Sequence, residues 1–162
     1  AGILGPLYAL LQGFCLGAIS AMFDAQTDGI VAAAVIATVG VFVVAWFLYV
    51  TGIVKPTQRL AFAVIAGLGG LALLYLFVWV LAIFDAGFLY SDQFRTWGIV
   101  ISVIAVVLAA LSLTLDFAFV RQATDAGAPK FMEWYLAYSL MVTLIWLYLT
   151  LLRLLALLSG NR

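Results

Sequence analysis

"GIVISVIAVVLAALSLTLDFAFV", residues 98–120, decides the fold of this chain. It is apolar along its whole length except for a few hydroxyls and one carboxylate, Asp116. At ~1.5 Å per residue such a run forms a helix of ~30 Å or more, enough to cross the hydrocarbon of a bilayer. Four further runs have the same character, near 3–23, 30–52, 60–84 and 132–157. None alternates with the period of two that a barrel strand requires. Inside lipid every backbone polar group must be satisfied within its own segment, so helices follow. The expectation is an all-α, polytopic transmembrane bundle of five helices forming one domain over 1–162.

Composition points the same way. Of 162 residues, 68% are hydrophobic and 9% charged, where a soluble domain carries about a quarter charged residues. Seven basic and seven acidic residues cancel, which gives no basic surface for nucleic acid. Histidine is absent, and with it the commonest proton shuttle, metal ligand and haem ligand. The single cysteine, Cys15, leaves no internal disulfide. Ala1 runs directly into apolar sequence with no basic segment ahead of it, so the opening does not read as a signal peptide, and the chain is expected to be a fragment.

The links set an orientation. "TGIVKPTQR" (51–59) carries Lys55 and Arg59, and "RQATDAGAPKF" (121–131) carries Arg121 and Lys130. "DAQTDG" (24–29) has no base, and "DAGFLYSDQFRTWG" (85–98) has only Arg95. The positive-inside rule places the second and fourth links in the cytoplasm.

Helical spacing then sorts the faces. Ala105, Ala109, Ser112 and Asp116 fall on one stripe, so the acid lies on a small, polar side that should face other helices. Ala9, Gly13 and Gly17 recur every four residues in the first run, with Gln12 and Ser20 beside them. Ala63–Gly67 and Ala66–Gly70 recur likewise in the third, and each stripe is expected to be a packing face. In the last run Ser139, Thr143, Trp146, Thr150 and Arg153 share a stripe. These seams either meet each other or line a wet path. An aspartate at the centre of a membrane helix costs about 3 kcal/mol on insertion scales. Asp116, read as about one turn from the helix end, therefore either holds a proton or is paired, with Arg121 or Lys130 the expected partner and Glu133 nearby. Arg153 is expected to snorkel to the outer interface. No metal-ligand spacing, catalytic triad or nucleotide loop is present in the sequence, and "GLGG" (67–70) is helix packing, so neither an enzyme nor a cofactor is expected.

"GPLYALLQGFCLGAISAMFD" (5–24), "LTLDFAF" (113–119) and "GAPKFMEWYLAYSLMVTLIWLYLTLLRLLALL" (127–158) resemble bacterial proteins of the Bax inhibitor family, also called transmembrane Bax-inhibitor-motif or YccA-type proteins. The resemblance covers nearly the whole chain. It implies the last five of about seven helices, a terminal helix surrounded by the others, and the bacterial inner membrane. It also implies a pH-sensitive leak of calcium or another cation, gated by two aspartates in the last two helices. Asp116 matches the first of these. The second position falls near Thr143, and positions where relatives carry acids hold Gln12, Ala118 and Thr150 here, so ion coordination is weaker. On this view Asp116 is the gate and pH sensor, Gln12, Thr143, Ser112 and Ser139 line the path, and Glu133, Arg121 and Lys130 stand at the cytoplasmic mouth. The other expectation is a non-transporting accessory or scaffold subunit bound to a membrane-protein partner.

Overall fold

The computed structural model describes residues 3–84, 87 and 91–160. Five helices follow in order: α1 Leu4–Asp24, α2 Ile30–Val50, α3 Gln58–Phe84, α4 Asp92–Asp125 and α5 Lys130–Ser159. All five are long and apolar enough to cross a membrane, and no strand occurs among the described residues. Large apolar side chains cover the outside, among them Phe14 at 80% exposure and Phe62 at 75%. Lipid, not water, suits that surface, and the chain is a multi-pass membrane protein.

α4 and α5 outrun their apolar runs at both ends and α3 at its start, whereas α2 stops at Val50, two residues short. α4 begins six residues before the expected position because Ser91 caps it, its hydroxyl accepting from the Phe94 N–H at 3.2 Å, with Asp92 in the positive first turn. It continues to Asp125, where Gly127 takes φ +64°. Gly127 N–H then donates to Thr124 O and Ala128 N–H to Ala123 O, at 3.1 and 3.0 Å, closing the last turn ahead of Pro129. Thr57 starts α3 two residues early by accepting from Leu60 N–H at 3.2 Å. Hydropathy locates what lies in hydrocarbon, whereas caps and glycines locate where the helix stops. Of the third link, residues 85, 86 and 88–90 lie outside the described residues.

α2, α4 and α5 form the centre. Ala45 of α2, Ala109 and Leu113 of α4, and Leu147 and Leu151 of α5 make one buried cluster. A second joins Ile30 and Ala34 of α2 to Leu152 of α5. α1 packs on α2 and α5, and α3 packs on α4. α1 runs parallel to α5: Tyr8 meets Tyr138 with ring centroids 4.8 Å apart, and Ser20 shares a 2.7 Å hydroxyl hydrogen bond with Tyr148.

Only one of the small-residue stripes packs as the spacing suggests. In α4, Ala105 and Ala109 are fully buried. In α1, Ala9, Gly13 and Gly17 are exposed, and nothing lies within 4 Å of a Cβ built on either glycine. Tyr8, Gln12, Ile19, Ser20 and Phe23 form the half-buried side instead, because ring and hydroxyl contacts to α5 hold α1 by its larger residues. In α3, Ala63, Ala66 and Gly70 are exposed, and Gly67 alone meets α4. A Cβ on Gly67 would come within 2.8 Å of Leu108 Cδ2. Gly67→Ile is therefore expected to cost about 1–3 kcal/mol by overpacking, whereas Gly70→Ile, with nothing within 4 Å, leaves the helix contact intact. Thermal unfolding of both variants in detergent checks this, and equal melting would contradict the close approach of α3 to α4.

The terminal helix is not enclosed along its whole length. Phe131, Trp134 and Tyr135 of α5 are 64%, 53% and 66% exposed. α3 lies behind α4, and its backbone does not approach α5 among the described residues, so the first turns of α5 keep an open side.

Candidate functional site

The polar stripes of α4 and α5 meet. Gly98 lies against Leu157, Arg95 against Gly160, and Asp116 against Ser139. Each step forward along α4 is matched by an equal step back along α5, so the helices are antiparallel in constant register. That register sets Ser112 opposite Thr143, Ala109 opposite Trp146, Ala105 opposite Thr150 and Ser102 opposite Arg153. Alanines and serines on α4 thus receive the larger or hydroxylated side chains of α5. Small residues on one helix permit the close approach that membrane packing relies on.

Asp116 sits inside this seam. Its Oδ1 accepts from Ser139 Oγ at 3.3 Å, while Oδ2 is buried without a hydrogen-bond partner. Thr143, one turn further along α5, donates to Ser139 O at 3.2 Å and holds that turn. On the α2 side the neighbouring Phe117 ring packs edge-on against Phe42, centroids 5.4 Å apart, and faces Tyr49 at 6.0 Å. The carboxyl therefore has one hydroxyl partner from α5, and the ring cluster lies on the neighbouring Phe117.

The expected ion pair with Arg121 or Lys130 is absent. Arg121 instead approaches Asp125 at 4.0 Å, with both side chains about three-quarters exposed. α4 stays helical beyond Asp116, and five residues at ~100° each turn Arg121 about 140° away from the acid. Lys130 opens α5 and is exposed, nine residues or ~13 Å along the axis from Ser139. Asp116 likewise stands nine residues inside the end of α4, deeper than the one turn read from the apolar run.

The other site residues divide. Ser112, Thr143 and Ser139 are half-buried in the seam with Asp116. Gln12 is half-buried on α1, whose backbone does not approach α4, so it stands apart from the acid. Glu133 is exposed and borders an open cleft with Thr124, Ala128 and Met132, at the membrane face toward which Asp116 lies. Among the described residues no group of three metal-ligating side chains gathers.

Three features lie outside the expected site. Ser102 is fully buried, and its hydroxyl has no hydrogen-bond partner. It continues the 105–109–112–116 stripe by one more turn, so the same spacing points to it. Arg95 donates from Nη2 to Leu157 O at 3.1 Å, tying the start of α4 to the end of α5. Arg153 does not run free along its stem but lies over the Tyr75 ring of α3, 5.0 Å from its centroid. No local pattern signals either arginine contact, because each joins helices distant in sequence.

A seam of this kind, with one uncompensated acid between the last two helices, agrees with the resemblance carried by residues 113–119 and 127–158. Comparison with curated proteins and with solved structures finds no match. The model of the family described as Bax inhibitor 1 like matches residues 1–160, and the chain belongs to that family.

Proposed function

We propose that this protein is a Bax-inhibitor-type cation leak, held closed by the α4–α5 seam, with Asp116 as its pH-responsive latch. The observation that carries this is the buried Oδ2 of Asp116, which lacks a donor while Oδ1 is held by Ser139. A charged acid there has no counter-ion, so its protonation state is coupled to how tightly α4 and α5 close. Ser112, Thr143 and Ser139 line the path that opens, and Glu133 flanks the mouth. Only one carboxylate is in the seam, and Ca²⁺ prefers about six or more oxygen ligands, so calcium or another cation passes without being held tightly. The reading is non-enzymatic. It places the chain in a bacterial inner membrane with the second and fourth links cytoplasmic, supported by Lys55, Arg59, Arg121 and Lys130 in those links. Purified protein in liposomes loaded with a calcium indicator or a pH dye is expected to show flux above empty vesicles. Equal traces from acid to alkaline pH would remove the transport reading.

A second reading, an accessory subunit, is favoured by the open small-residue faces of α1 and α3. A methyl group added at Gly13, Gly17, Gly69 or Gly70 would meet nothing within 4 Å, which leaves room for a partner helix. A stoichiometric complex surviving purification in mild detergent, with no flux in liposomes, would establish it over the first.

A further inference from the structure

The end of the bundle opposite the Asp116–Ser139 contact holds a second polar feature. A crevice of about 290 Å³ opens between the first turns of α4 and the last turns of α5, lined by Ser91, Asp92, Arg95, Gly98, Arg153 and Leu157. Two arginines line it. Arg95 is fixed by its hydrogen bond to Leu157 O, and Arg153 by its stack on Tyr75. Both are held by neutral groups. Among the described residues the one ion pair within 4.0 Å is Arg121–Asp125, so neither arginine makes an ion pair, although Asp92 lines the same crevice.

Five N–H donors on each arginine far exceed the contacts made. The positive end of α4 adds to the same field. The level also fits. Arg95 and Asp116 stand about 31 Å apart along α4 at ~1.5 Å per residue, near the thickness of the hydrocarbon core, which brings the crevice to the opposite membrane interface. Trp97, 65% exposed in the second turn of α4, is the kind of residue that anchors at headgroup depth.

The geometry points to a phosphate-binding site formed by Arg95 and Arg153, filled from the membrane by the phosphate of an anionic lipid headgroup. Two planar forks around a crevice of this size match a phosphate diester, whose oxygens accept charge-assisted hydrogen bonds from both. The site is independent of whether the α4–α5 seam conducts.

The test compares wild type, the double variant Arg95→Gln/Arg153→Gln, the charge-keeping Arg95→Lys/Arg153→Lys, and Arg121→Gln, which lies outside the crevice. After delipidation in detergent, each is titrated with phosphatidylglycerol, with phosphatidylcholine and with inorganic phosphate. Thermal unfolding and native mass spectrometry of adducts are the readouts. Wild type and Arg121→Gln are expected to take up one phosphatidylglycerol saturably and melt higher. The double Gln variant should bind at least about tenfold more weakly, and the double Lys variant should fall between. A saturable shift with inorganic phosphate alone would assign the same chemistry to a soluble phosphate and overturn the lipid source. If the Gln variant does not fold, the Lys variant decides: binding unchanged from wild type overturns the two-fork site. No saturable shift with any of the three, or a shift that both arginine variants keep, overturns the proposal.

Discussion

Ala109→Leu is expected to part α4 from α5 and to give the largest loss of stability of any single apolar substitution in the seam. Ala109 has no exposed surface, sits in the central cluster with Leu113 and Leu147, and stands opposite Trp146. Lipid tails are as apolar as leucine, so close van der Waals contact, not exclusion from water, holds these helices together. Three added carbons at the closest point force the helices apart along the register, and every pair from Ser102–Arg153 to Asp116–Ser139 loosens with it. Overpacking of this kind costs about 1–3 kcal/mol where only one contact yields, so the upper end is expected here. Val107→Leu is the control, because Val107 is 54% exposed on the lipid side of the same helix. Thermal unfolding in detergent should show Ala109→Leu melting well below wild type and Val107→Leu unchanged. If Ala109→Leu melts with wild type, α4 and α5 do not approach as described.

Asp116→Asn is expected to flatten the pH dependence of any flux while leaving the fold intact. Asparagine keeps an oxygen that can accept from Ser139 and removes the ability to carry charge. The groups facing Asp116 decide the sign. From α5 these are the hydroxyls of Ser139 and, one turn on, Thr143, while on the α2 side Tyr49 packs on the neighbouring Phe117 ring. None is a cation. Losing the proton therefore places an unbalanced charge in the seam, which favours a wetter, looser arrangement. Flux through wild type should rise with pH, and Asp116→Asn should stay at the low level throughout. An uncompensated aspartate costs about 3 kcal/mol at a helix centre, so a tenfold or larger difference at alkaline pH is the expected scale. Ser139→Ala separates the charge from the hydrogen bond: it should keep the pH dependence and lower thermal stability by about 1 kcal/mol. Identical pH profiles for wild type and Asp116→Asn would remove the acid from any gating role.

Spacing states which residues share a face, but it does not state which helix lies against that face. The stripe of Ala105, Ala109 and Asp116 points inward, as its small residues suggest. The equally regular stripe of Ala9, Gly13 and Gly17 carries the same signal and is open. Tyr138 and Tyr148, more than a hundred residues away, decide the matter for α1. The partner of Asp116 escapes local reading for a related reason. Arg121 is near in sequence but turned away by the helix, whereas Ser139 is distant in sequence and directly opposite.

Sequence alone determined that this chain crosses a membrane five times as helices, and that the one acid within its apolar runs shares a small-residue face. Hydrocarbon admits backbone only as self-satisfied helix, and that constraint acts on each segment by itself. Tertiary structure decided the rest: which face each helix buries, that the α4 and α5 stripes meet in antiparallel register, that Asp116 finds a hydroxyl and no cation, and that Arg95 and Arg153 converge. Those outcomes depend on contacts between helices, where several packings of similar apolar surfaces compete and only the positions of hydroxyls, rings and charges separate them.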